Sequence, residues 1–140
     1  MSYLLTGNDA NQPFAILVES IASNLLMKHP APICLEVDID MDLRVNFDAA
    51  SLSQLIDSLV RQALVEMPSG GELTITACES PTGVELEIAD TGSDVEMRAC
   101  KLPMVAAAMA AELVWQNCPQ GGAAVTARLP RYRQSQRRAA

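Results

Sequence analysis

Over residues 13–28, Phe14, Leu17, Val18, Ile21, Leu25 and Leu26 recur at three- and four-residue steps. That is the period of an amphipathic helix with one face turned to a core. Pro13 suits a first helical position. His29-Pro30-Ala31-Pro32 ends the run, because a residue before proline is pushed out of helical angles. The period then changes to two: Ile33, Leu35, Val37 and Ile39 alternate with Cys34, Glu36, Asp38 and Asp40, as in a strand with one wet face. Leu43, Val45 and Phe47 repeat the alternation after Asp40-Met41-Asp42, which predicts a hairpin. Asp48 can cap the next helix, with Ser51 and Gln54 as a second start signal. Its apolar stripe runs Leu52, Leu55, Ile56, Leu59, Val60, Ala63, Leu64 and Met67, until Pro68-Ser69-Gly70-Gly71 closes it.

Two alternating strands follow, one through Leu73 and Ile75 and one through Val84, Leu86 and Ile88, joined by the turn Ser80-Pro81-Thr82-Gly83. Asp90-Thr91-Gly92 breaks the pattern, and an alanine-rich helix is expected over roughly 100–111, with Pro103 near its start. Residues 112–117 fit either period. Val114 and Trp115 favour a strand, and Cys118-Pro119-Gln120-Gly121-Gly122 suits a hairpin connection to a last strand over 123–129. The order is helix, two strands, helix, two strands, helix, two strands. The expected fold is α+β, a two-layer α/β sandwich whose mostly antiparallel sheet carries three helices on one face.

With 49% hydrophobic and 19% charged residues over 140 positions, the chain suits one ordered domain. Its expected extent is 13–130, between an N-terminal extension (1–12) and a basic C-terminal tail (131–140). Residues 1–127 hold all 17 acidic side chains and five basic ones, whereas Arg128, Arg131, Arg133, Arg137 and Arg138 crowd the end. So acidic a body repels nucleic acid and acidic membrane surfaces. No apolar run has the length of a membrane span, and Met1–Gln12 lacks signal-peptide features, so the cytoplasm is the expected location. Cys34, Cys78, Cys100 and Cys118 have neither metal nor disulfide spacing and read as reduced, mostly packing residues.

Leu43-Arg44-Val45-Asn46-Phe47-Asp48 leads into the capped helix. Gly70-Gly71-Glu72-Leu73-Thr74-Ile75, Val84 through Gly92, and Val125-Thr126-Ala127-Arg128-Leu129-Pro130 follow at set distances. In this order the segments resemble the catalytic domain of bacterial sensor histidine kinases, within the superfamily shared with gyrase, the ninety-kilodalton heat-shock chaperones and mismatch-repair ATPases. The resemblance implies that Asp90 stands where the family's aspartate accepts the exocyclic amine of adenine, beside Gly92. It also sets Ser58 and Gln62 where the family has a polar residue and a magnesium-holding asparagine.

Elsewhere the chain departs from that family. Glutamine is a longer amide, poorly suited to octahedral magnesium, and Ser58 offers no base to activate water. Asp94 replaces a second glycine and brings negative charge toward a triphosphate. Only Glu96-Met97-Arg98-Ala99 stands in place of the mobile lid and glycine-rich phosphate cradle, and Ala124 replaces a threonine. No segment of these 140 residues is expected to form the family's dimerisation element with its phosphoacceptor. His29, the sole histidine, reads as an exposed or capping residue. The expectation is a degenerate domain without intrinsic ATPase or kinase activity and with no cofactor. It would act as a regulatory module bound to another signalling protein (a receiver domain, a kinase or a regulator), with a homodimer left open. The alternative is a minimal domain binding ATP with magnesium and transferring phosphate with a partner's help. A third reading gives the old pocket a different small ligand.

Overall fold

The structure, a computed structural model, describes residues 12–130. The N-terminal extension, apart from Gln12, and the basic tail lie outside the described residues. Helix α1 (Phe14–Met27) is followed by strand β1 (Ile33–Ile39), helix α2 (Ala49–Val65), strands β2 (Gly71–Ser80) and β3 (Gly83–Asp90), a single 3-10 turn (Val95–Met97), the short helix α3 (Met104–Ala108), and strands β4 (Glu112–Asn117) and β5 (Ala123–Pro130). The sheet order is β1-β2-β3-β5-β4, with β1 parallel to β2 and every other pair antiparallel.

The helices cover one face of this sheet. Val18 and Ala22 of α1, Leu55, Ile56, Leu59 and Val60 of α2, and Leu73, Ile75, Leu86, Ile88 and Leu129 of the strands are all but sealed from solvent. Each such Val, Leu or Ile side chain contributes about 1.5–3 kcal/mol when taken out of water. Asp48 caps α2 as its sequence suggests, accepting the Ser51 amide at 3.1 Å. His29 has a capping role as well: Nε2 lies 2.9 Å from the Met67 carbonyl just beyond the end of α2, tying the α1–β1 connection to it. On the opposite, wet face, Arg128 lies in register between Glu85 and Glu112 and approaches both, at 3.5 and 3.4 Å.

Three expectations need correction. The hairpin after β1 does not form, and residues 43–47 are extended chain outside the ladder. Their alternation has another cause: Leu43 is buried and Val45 and Phe47 pack partly against the core while Arg44 and Asn46 face solvent. Strand β1 pairs in parallel with β2 instead, and a parallel pair needs a crossover, which α2 supplies. The alanine-rich helix shrinks to Met104–Ala108. Pro103 keeps Leu102 out of helical angles, and Ala110 turns left-handed at φ 56°. The cysteines are free but do not pack in the core, since Cys34 and Cys78 are exposed and Cys100 and Cys118 half-buried.

Leu59 is 2% exposed at the centre of the stripe, while Arg61 faces solvent and pairs with Asp57 one turn earlier at 2.7 Å. Leu59→Ala should lower unfolding free energy by about 2–5 kcal/mol. Arg61→Ala should change it by no more than about 0.5 kcal/mol, as for an exposed ion pair. Urea denaturation of the two variants checks both.

Candidate functional site

Between α2 and the sheet lies a cavity of about 180 Å³. Its floor is one cross-strand row, Ile88, Val125 and Trp115, placed side by side by the ladder registers. Leu59 and Ala63, one helical turn apart on α2, form a wall. Residues Arg98–Lys101 close the remaining side, and Asp90, Glu66 and Gln62 contribute the polar lining.

Asp90, the last residue of β3, is the one charged or polar residue among the described residues that is classed as buried. Both of its oxygens are taken by Arg98, with Nη1 to Oδ2 at 2.8 Å and Nη2 to Oδ1 at 2.9 Å. This fork-on-fork geometry is the strong form of an ion pair. The two side chains are 2% and 6% exposed. Oδ1 also accepts the Gly92 amide at 2.9 Å, and Arg98 donates to the Ser93 carbonyl, so the 90–98 connection is drawn around the pair. The Asp90 carboxylate holds the Arg98 guanidinium pKa above its ordinary value, against the opposing effect of burial. Nε of Arg98 is buried without a hydrogen-bond partner.

Gln62 spends its amide on the next stretch of the same segment. Nε2 donates to the Lys101 carbonyl at 2.9 Å and Oε1 accepts the Lys101 amide at 3.0 Å. The extra methylene that makes glutamine awkward for a magnesium ion gives it the reach to pair with this backbone. Gly92 is required sterically, since a Cβ there would sit 2.5 Å from the Glu66 carbonyl oxygen. Ser93 Oγ donates to the Glu66 carboxylate. Further along, the Asn117 side chain anchors the 3-10 turn, its Oδ1 accepting the Val95 amide at 2.7 Å.

Of the residues singled out from the sequence, Asp90 and Gln62 both line the cavity, Gly92 sits at its rim against α2, and Ser58 lies half-buried a turn before Gln62 but outside the lining. Asp94, expected at the mouth, is exposed and outside the lining; Ala124 is buried but also outside it, its neighbour Val125 taking that place. The sequence reading missed Arg98, Glu66 and Trp115. A basic residue eight positions after a buried aspartate, in a segment too short to be a lid, was the available signal for Arg98.

No protein-family model matches the chain, and no curated protein matches it in sequence. Solved structures match it by fold. The mycobacterial sensor histidine kinase MprB aligns with a TM-score of 0.69 at 16% identity, over 84% of this chain and 94% of that chain. The catalytic domain of histidine kinase ThkA aligns at 0.66 and 18% identity, over 85% and 94%. The histidine kinase AdeS of Acinetobacter baumannii aligns at 0.67 and 17%, over 86% of this chain and 66% of its own. The chain therefore has the fold of histidine-kinase catalytic domains, an α+β fold of the kind read from residues 13–130.

Arg98→Ala should lower stability by about 3–5 kcal/mol, because it strands a buried carboxylate. The double variant Arg98→Ala with Asp90→Leu should recover much of that loss, since apolar replacement removes the uncompensated charge. Chemical denaturation of the single and double variants measures the difference. Burial raises the thiol pKa of Cys100 and Cys118, with Arg98 opposing it at both. Near neutral pH iodoacetamide should therefore label both more slowly than the exposed Cys34 and Cys78, which intact-mass time courses with peptide mapping resolve.

Proposed function

We propose that this domain keeps a histidine-kinase-like ATPase fold without its nucleotide chemistry and serves in the cytoplasm as a regulatory protein-binding module in bacterial signal transduction. Its partner is another signalling protein: a receiver domain, a kinase or a regulator. The observation that carries this reading is the buried, bidentate pairing of Asp90 with Arg98.

Magnitudes decide the competition at that carboxylate. An adenine amine donating to Asp90 would contribute about 0.5–1.5 kcal/mol, somewhat more if charge-assisted. To reach Asp90 it must displace Arg98, and breaking a buried pair costs about 3–5 kcal/mol. The arginine wins. Gln62, in the position of the family's metal ligand, has both amide groups engaged by Lys101. The residues present thus do not fit ATP with magnesium, and no catalytic step is assigned to them.

The partner-binding half of the reading has separate support. Val65 at the end of α2, and Met97, Leu102 and Met104 flanking the segment that closes the cavity, are 68% to 93% exposed. Large apolar side chains left in water around one feature of the fold favour an interaction role.

Calorimetry with ATP and adenosine, each with and without magnesium, tests the proposal. Neither ligand should approach micromolar affinity, which requires roughly 8 kcal/mol, and magnesium should make no difference. Micromolar, magnesium-dependent ATP binding that is lost in Asp90→Asn would overturn it and restore phosphate transfer with a partner's help.

A further inference from the structure

We infer that the cavity between α2 and the sheet is a binding site for a small hydrocarbon-like ring compound, one whose buried part carries no hydrogen-bonding group. This rests on Asp90 remaining paired with Arg98, as in the proposed function, and names a ligand class for the same site.

Size comes first. At about 180 Å³ the cavity compares with the roughly 150 Å³ apolar cavity known to take up benzene, so one ring with a short substituent fits. The walls then set the surface. Ile88, Val125 and Trp115 form an apolar floor, and Leu59 and Ala63 line the cavity from α2. Val65, on the lining and 72% exposed, gives the mouth an apolar lip.

The polar side chains on the lining are spent on one another or on the backbone. Both Asp90 oxygens are held by Arg98, and Oδ1 also accepts the Gly92 amide. The terminal nitrogens of Arg98 serve Asp90 and the Ser93 carbonyl, while its Nε is sealed. Gln62 has its amide oxygen and nitrogen both engaged by the Lys101 backbone, and the Glu66 carboxylate accepts the Ser93 hydroxyl. Glu66, Asp90, Arg98 and Lys101 also offset one another in formal charge, so no excess draws in an ion.

Two consequences follow. Water in this space finds few of the two to four polar partners that hold a buried water, and replacing poorly held water with an apolar group gains affinity. A ligand hydroxyl, amine or carboxylate carried into the same space would lose its hydration without compensation. The cavity therefore discriminates against polarity through the completeness of its own hydrogen bonding.

Four one-ring probes test this: toluene (no polar group), phenol (hydroxyl), benzylamine (cation) and benzoate (anion). Trp115 is the chain's only tryptophan, so titration of the isotope-labelled full chain gives a single indole N–H signal to follow from the cavity floor. Toluene should shift that signal saturably. Phenol should bind at least about fivefold more weakly, the least cost of an uncompensated hydroxyl, and the two ions more weakly still. Toluene should also slow iodoacetamide labelling of Cys100, which lines the cavity, and leave Cys118, which does not, unaffected. Ala63→Leu places an isobutyl group in the cavity and should abolish the toluene response. If that variant does not fold, Ala99→Leu fills the cavity from an exposed position on the closing segment. No saturable shift with toluene, phenol or an ion binding as tightly as toluene, or a toluene response that survives in a folded, filled variant would overturn the inference. Failure here with ATP also unbound sinks the ligand class and leaves the proposed function standing, whereas magnesium-dependent ATP binding sinks that function.

Discussion

A carboxylate buried among aliphatic side chains is tolerated only when its charge is met, and Asp90 sits almost sealed at the end of a central strand. Arg98 meets it with two parallel hydrogen bonds. The course of the chain after β3 follows from that requirement. Residues 91–98 must turn back far enough to bring a guanidinium onto the strand they have just left. The Gly92 amide and the Ser93 carbonyl join the same network. The closing wall of the cavity, residues 98–101, is where it is because Arg98 is anchored there and Gln62 holds Lys101 two-handed from α2.

The hydrophobic core is built from other side chains than these polar ones. It gathers the α2 stripe, the buried face of α1 and the inward-facing residues of β2, β3 and β5 into one cluster, with α1 packed beside α2 and against β1. Asp90, Arg98 and Gln62 are not among its members. A fold whose stability comes from hydrophobic burial can therefore keep its shape while the polar groups at one end take up new partners. The likeness to histidine-kinase catalytic domains at 16–18% identity is of this kind, a shared arrangement of layers carried by different side chains.

Periodicity alone determined most of the layers. The α2 stripe and the β2–β3 hairpin stand where the spacing of apolar residues puts them, and the β4–β5 hairpin where Val114, Trp115 and the turn residues Cys118–Gly122 put it. These are local or nearly local features, set by which positions along a helix or strand share a face. Asp90 and Gln62 stood out through the resemblance to histidine-kinase domains, and strand and helix place both of them on the cavity lining. The pairing of β1 was not legible: residues 43–47 alternate as a strand would, yet that alternation serves packing, and only the crossover by α2 brings β1 beside β2. Nor could the sequence assign Arg98 to Asp90 or Lys101 to Gln62. The first pair is separated by an irregular turn and the second by 39 positions, so no period relates them. Those contacts follow from where the closing segment lands on a finished core, and a buried charge in need of a partner is what makes it land there.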